Sequence, residues 1–170
     1  MRRFTAAEKR AYAISNALSG VDIRVTPSMR RKVEELALWL AAGDKSRVRE
    51  ATQSVLDLLC AAAQIPPARL KLKDTAYARF RGRKAVWKLY GTCDRDGAIT
   101  VAFRTAVRRR VFAFRTFLDT LVHEFMHHYD HHHLRLAASF HTSGFYRRVR
   151  DLRLKLLGEE IPGAVPAAAP

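Results

Sequence analysis

The chain predicts an α+β domain in which several helices accompany a small antiparallel sheet. Three observations carry that prediction. Apolar residues recur at helical spacing from the start to about residue 62, the period shortens to two between residues 69 and 104, and helical spacing returns beyond residue 116. At 170 residues the chain is long enough to bury one core and too short for two comfortable ones.

Thr5-x-x-Glu8 is a capping-box pattern, so a short helix opens there, and Ser19-Gly20 closes it. Thr26-Pro27 reads as the N-cap and first position of a second helix, because proline fixes the helical φ where its missing N–H costs nothing. Met29, Val33, Leu36 and Leu40 share one face of it as far as Gly43. Val48, Ala51, Val55, Leu58 and Ala62 mark a third helix after Ser46, which Ile65-Pro66-Pro67 stops.

Arg69-Leu70-Lys71-Leu72-Lys73 then alternates charged and apolar residues as a half-buried strand does. A second strand is expected over Ala85 to Tyr90. Past the turn signal Asp94-Arg95-Asp96-Gly97, Ile99, Val101 and Phe103 alternate with Thr100, Ala102 and Arg104, so residues 85 to 104 are expected to form a hairpin. Trp87 and Tyr90 are expected to pack on the sheet face. Thr116-x-x-Asp119 reads as the cap of a fourth helix, whose broad apolar face (Phe117, Leu118, Leu121, Val122, Phe125, Met126) suits the core. A last helix follows Thr142-Ser143 and closes at Gly158. Phe145, Val149, Leu152 and Leu156 face inward on it, and Arg147, Arg148, Arg150, Arg153 and Lys155 mostly outward.

The charge is strongly basic, with 31 Lys+Arg against 16 Asp+Glu and a net +15. Residues 69 to 115 alone hold fourteen basic side chains against Asp74, Asp94 and Asp96. Such an excess points to a polyanionic partner bound through phosphates without sequence reading, since no recognition-helix motif is present. Cys60 and Cys93 lack CxxC spacing, which argues against a zinc ribbon or redox pair. No apolar run approaches membrane-spanning length and no export signal is visible, so no membrane is expected as a partner and a cytoplasmic location is.

The fourth helix carries His123-Glu124-Phe125-Met126-His127, an HExxH motif. The four-residue step puts both imidazoles on one side of a helix, one turn apart, where they can share one zinc ion. Glu124 then lies beside the metal without ligating it, as a general base. All seven histidines fall between His123 and His141. A catalytic zinc needs a third protein ligand and an open position, and several side chains compete for that place. His133 has metzincin spacing, but Asp130 replaces the turn glycine and every methionine precedes it. His131 lies too far along a straight helix to converge on the same ion. Glu159 and Glu160 are conceivable carboxylate ligands, and His141 is better placed because it precedes a helix start and can fold back. Asp130, three residues after His127, can orient a ligand histidine or stand exposed at the helix end.

The order of parts from Leu89-Tyr90-Gly91 to Phe145 resembles the SprT-like metallopeptidase domain. The matching stretches are Gly97-Ala98-Ile99-Thr100-Val101, Leu121 through His127, and His141-Thr142-Ser143-Gly144-Phe145, with Thr142 where that family usually has glycine. The resemblance implies His123, His127 and His141 as zinc ligands, Glu124 as catalytic base and a compact zincin-like fold. With it the chain divides into an N-terminal helical segment (1–64) read from periodicity, a SprT-like peptidase core (65–160) and a Pro/Ala-rich tail (161–170) whose composition predicts disorder. Together with the charge it implies a zinc-dependent endopeptidase acting on proteins at or near DNA, with Arg108, Arg109, Arg110, Arg147 and Arg148 as candidate nucleic-acid contacts. The rival reading is a non-catalytic nucleic-acid-binding protein stabilised by zinc, which would need a fourth ligand and no general base.

Overall fold

A computed structural model describes residues 3–159; Glu160 and the tail expected to be disordered lie outside the described residues. Helix α1 (Ala6–Ala17) opens on the capping box: Glu8 N donates to Thr5 Oγ1 at 3.2 Å and Thr5 N to Glu8 Oε2 at 2.8 Å. It ends at Leu18, ahead of Ser19-Gly20. Helix α2 (Pro27–Ala42) is capped by Thr26 and terminated by Gly43 in the left-handed conformation at φ 70°. Helix α3 (Lys45–Ala63) starts one residue before Ser46, because the Asp44 carboxylate accepts from Arg47 N. Its buried stripe includes Leu56, Leu59 and Ala63, and Leu58 and Ala62 sit at the margin of the core.

Five strands follow: β1 (Arg69–Thr75), β2 (Tyr77–Arg81), β3 (Lys84–Leu89), β4 (Gly91–Cys93) and β5 (Ala98–Arg104). β1, β5 and β4 form one sheet in that order, with β5 central, parallel to β1 and antiparallel to β4. The sheet is therefore mixed, where a purely antiparallel one was expected. Alternation reports which face of a strand is buried, not which neighbour it pairs with or in which direction.

The expected hairpin over 85–104 is corrected in the same way. β3 turns back onto β2 through Gly82-Arg83, with Gly82 at φ 60°, and these two strands form a separate two-stranded sheet. Only the short β4 continues into β5, across Asp94–Gly97, where Asp94 N donates to Ala98 O and Gly97 sits at φ 82°. Six of the seven β5 residues are buried. Ile99, Val101 and Phe103 enter the core, and Thr100 and Ala102 line a recess at the foot of the β2–β3 hairpin.

Helix α4 (Phe114–His132) begins at Ala113 with no side-chain cap. The Thr116–Asp119 cap is not used: Thr116 lies inside the first turn and Asp119 faces Arg153 at 3.4 Å. After the loop that follows β5, the chain returns to the sheet just before α4, as Phe112 N donates to Phe103 O. Helix α5 (Ser143–Leu157) is capped by Thr142, which accepts from Phe145 N at 3.0 Å, and ends at Gly158 with φ 69°. One apolar core joins α2, α3, β5, α4 and α5. Burial of this many aliphatic and aromatic side chains, each contributing roughly 1.5–3 kcal/mol, is the main force holding the helices on the sheet.

Candidate metal centre

α4 is buried through Phe117, Leu118, Leu121, Val122, Phe125 and Met126, and that orientation turns His123 and His127 to the side of the helix facing the loop before α5. His141 comes from that loop, next to the cap residue Thr142. The anchoring of Thr142 fixes where His141 stands: its hydroxyl caps α5 and bonds Ser15 Oγ of α1 at 3.0 Å. His141 Nε2 lies 3.0 Å from His123 Nε2 and 3.0 Å from His127 Nε2. The ligand atoms of the three residues lie within 4.8 Å of one another. Phe145, fully buried, underlies all three rings at centroid distances of 4.7 to 5.1 Å and gives the group an apolar floor.

His123, His127 and His141 are thus close enough to bind one metal ion. The fit can be tested on the protonation of His127. Its Nδ1 lies 2.8 Å from Ser139 Oγ, and Ser139 in turn donates its only hydroxyl proton to Asp130 Oδ2 at 2.8 Å. Ser139 must then accept from His127, which places the imidazole proton on Nδ1 and leaves a lone pair on Nε2, the atom 3.0 Å from His141 Nε2. Nitrogens on a tetrahedral ion with bonds of about 2.0–2.1 Å would stand roughly 3.3–3.4 Å apart, within a few tenths of an ångström of the two 3.0 Å spacings that His141 Nε2 makes. Burial, followed by the neighbouring His141, holds His123 down to about 4; burial, followed by His123, His141 and His131, holds His127 down to about 3. Both are neutral near pH 7, as ligands must be.

Asp130 is not an exposed helix-end acid. It is fully buried, as is its partner Arg148, whose Nη2 reaches both carboxylate oxygens at 2.8 and 3.1 Å. The same guanidinium donates to the carbonyls of Ser15 and Leu18 and to Ser15 Oγ, closing the C-terminal end of α1. Arg148, expected to face outward as a nucleic-acid contact, is therefore corrected to a buried residue. Its position on α5 turns inward beside Gly144, where an added Cβ would fall 2.0 Å from Ser15 O. Helical periodicity places Arg148 one residue from the inward-facing Val149, and only the docking of α1 decides which way so long a side chain runs. Ser139 escaped the sequence reading entirely, since a serine in a loop carries no pattern.

Glu124 is 8 % exposed, and burial raises its carboxyl to about 7. With His123 it lines a cleft of about 360 Å³ between α4 and the Leu89–Gly91 segment. A Cβ on Gly91 would approach Glu124 Cγ to 2.8 Å and Thr100 O to 2.9 Å, so glycine there is what lets the carboxylate reach the cleft. Cys93 lies nearby, and burial first, then Glu124, pushes its thiol up to about 12, which keeps it protonated.

Three of the four remaining histidines meet backbone carbonyls elsewhere. His128 Nε2 meets Pro66 O at 2.8 Å, His131 Nδ1 meets Leu136 O, and His133 Nδ1 meets Ala63 O while its ring stacks on Tyr129. Glu159 pairs with Arg115 at 3.1 Å, away from the triad. Arg108, Arg109 and Arg110 are exposed on the loop between β5 and α4, and Arg147 is exposed while donating to Asn16 O. No helix among the described residues is long and apolar enough to cross a membrane. Comparison of the chain with protein-family models, curated protein sequences and solved structures gave no significant match.

Proposed function

We propose that the protein is a zinc-dependent metalloendopeptidase related to the SprT-like domain, acting on proteins at or near DNA. The observation that carries the reading is the convergence of three imidazole Nε2 atoms beside a buried carboxyl that shares their cleft. Three imidazoles suit a borderline-soft divalent ion, and a set of three leaves a coordination position open, which a closed structural site would fill with a fourth ligand. Zinc held there would supply a Lewis acid that polarises a scissile carbonyl and acidifies water.

The chain's own residues supply the rest. β4 is the edge of its sheet and borders the cleft through Gly91, so an extended substrate segment can add to it as a further strand. Glu124, buried beside His123 in the cleft, is placed to take a proton from the attacking water and return it to the leaving amine. Ser139 and Asp130 hold His127 in the tautomer that presents Nε2. The exposed cations of the 105–110 loop, with Arg147, supply the attraction to DNA phosphates.

The test is metal analysis of the purified protein together with cleavage of casein, with and without DNA. About one zinc per chain is expected, with Glu124→Gln keeping the metal and losing cleavage and His141→Ala losing both. Zinc retained by an inactive parent protein would favour the rival, a non-catalytic zinc-stabilised nucleic-acid-binding protein.

A further inference from the structure

The β2–β3 hairpin has its own chemistry. It pairs with no third strand among the described residues, and its side chains stand in solvent: Tyr77, Phe80, Val86 and Trp87 are 59 %, 51 %, 51 % and 50 % exposed. Between them lie Arg79, Arg81, Arg83, Lys84 and Lys88, all exposed, with no acid in the segment and no ion pair to any of the five among the described residues. By contrast Arg69 and Arg104, on the main sheet, are neutralised by Asp96 and Asp74.

The register sorts these residues. Arg79 stands opposite Trp87, and Tyr77 opposite Leu89, so all four share one face. The Tyr77 and Trp87 rings meet edge-on at 5.8 Å, half of the indole stays in solvent, and with Arg79 and Val86 the two rings line a shallow recess of about 510 Å³. A half-exposed indole and phenol beside the Arg79 guanidinium fit a nucleobase and its phosphate. The recess leads inward: Tyr77 and Leu89 both line the adjoining depression at the hairpin's foot, and Leu89 also lines the cleft of His123 and Glu124. Lys88 and Arg108 border another shared recess, which joins the hairpin to the basic 105–110 loop.

We infer that the β2–β3 hairpin is a platform for single-stranded nucleic acid, on which bases stack against Trp87 and Tyr77 while Arg79 and Arg81 hold the phosphates. Bases paired in a duplex do not offer their faces, so the aromatic half of the platform selects unpaired strands. The inference rests on the nucleic-acid half of the proposed function and places the bound strand at the mouth of the metal cleft. It is read by binding, so it stands or falls separately from proteolysis.

The experiment uses the full chain carrying Trp39→Phe, which leaves Trp87 as the only emitter of the two tryptophans. Fluorescein-labelled oligothymidylate, oligouridylate, a matched duplex and vesicles of anionic phospholipid are titrated in parallel. Quenching of Trp87 by the single strands, binding of these above the duplex, and a loss of roughly fivefold or more in affinity for Trp87→Ala are expected, with Trp87→Phe retaining part of it. Arg79→Gln and Arg81→Gln should each lower the slope of log affinity against log salt by about 0.7. Unquenched Trp87 with Trp87→Ala binding like the parent would overturn the platform and leave the loop arginines as the DNA contact. Preference for duplex, or for vesicles, overturns it equally.

Discussion

Replacing Ser139 by alanine removes one hydroxyl that accepts from His127 Nδ1 and donates to Asp130 Oδ2, each at 2.8 Å. His127 then loses what fixes its tautomer, and loss of such an outer partner costs about 10- to 100-fold in metal affinity, or roughly 1.4–2.7 kcal/mol. Asp130 keeps both contacts to Arg148, at 2.8 and 3.1 Å, so the fold loses only about 1 kcal/mol for the missing hydrogen bond. Asp130→Asn acts differently. It leaves a guanidinium of 0 % exposure without its counter-charge, and removal of one partner from a buried pair costs roughly 3–5 kcal/mol. The two variants therefore separate: one weakens the metal and spares the fold, the other undermines both. Zinc affinity is measured by competition with a chromophoric chelator, and stability by urea unfolding of the metal-free protein. Parent-like zinc affinity in Ser139→Ala would refute the relay, and an unchanged unfolding midpoint in Asp130→Asn would refute the buried pair.

Four further outcomes are expected. In metal-free protein Glu124 titrates at about 7 against an ordinary 4.5, so the stability it contributes is full below pH 4.5 and is lost as pH rises to about 7. The stability of the parent relative to Glu124→Gln should fall across that window and stay flat on either side; urea midpoints that differ by a constant amount would contradict it. His123 and His127, held down to about 4 and about 3 from 6.5, act in the opposite sense: both variants should lose stability as pH falls below 6.5. Gly91→Ala should displace Glu124, since Thr100 O at 2.9 Å is backbone and cannot yield, and lower casein cleavage by roughly 100-fold with zinc content kept; normal turnover would show that the carboxylate does not need that space. Charge reversal of Arg108, Arg109 and Arg110 should reduce duplex affinity and shallow its salt slope by about 0.9 per lost phosphate contact, and binding indifferent to salt would remove these arginines from the interface.

Much of the fold was legible because the signals are local. Thr5, Thr26 and Thr142 cap helices where the sequence places them, since an N-cap needs only a hydroxyl and a backbone N–H three residues on. His123 and His127 were legible for the same reason: four residues on a helix fix their relation before any tertiary contact forms. His141 was named on the sequence among several candidates, and the fold brings it to the other two.

What the tertiary structure decided lies in pairings between distant segments. Alternation in Arg69–Lys73 and Ile99–Phe103 marks two strands but carries no record of their parallel pairing, because a strand's pattern reflects burial of its faces and not the identity of its neighbour. The exposure of Trp87 was likewise hidden, since an aromatic residue reads the same on a covered face as on a free one until the partner of its strand is known. Arg148 reads as a surface cation by composition and becomes a buried one because Asp130 and the C-terminal end of α1 supply it with acceptors from 18 to 133 residues away along the chain. A local code sets the elements and the ligand spacing; the cost of burying a charge, met only by groups that folding brings together, sets the support beneath the metal centre.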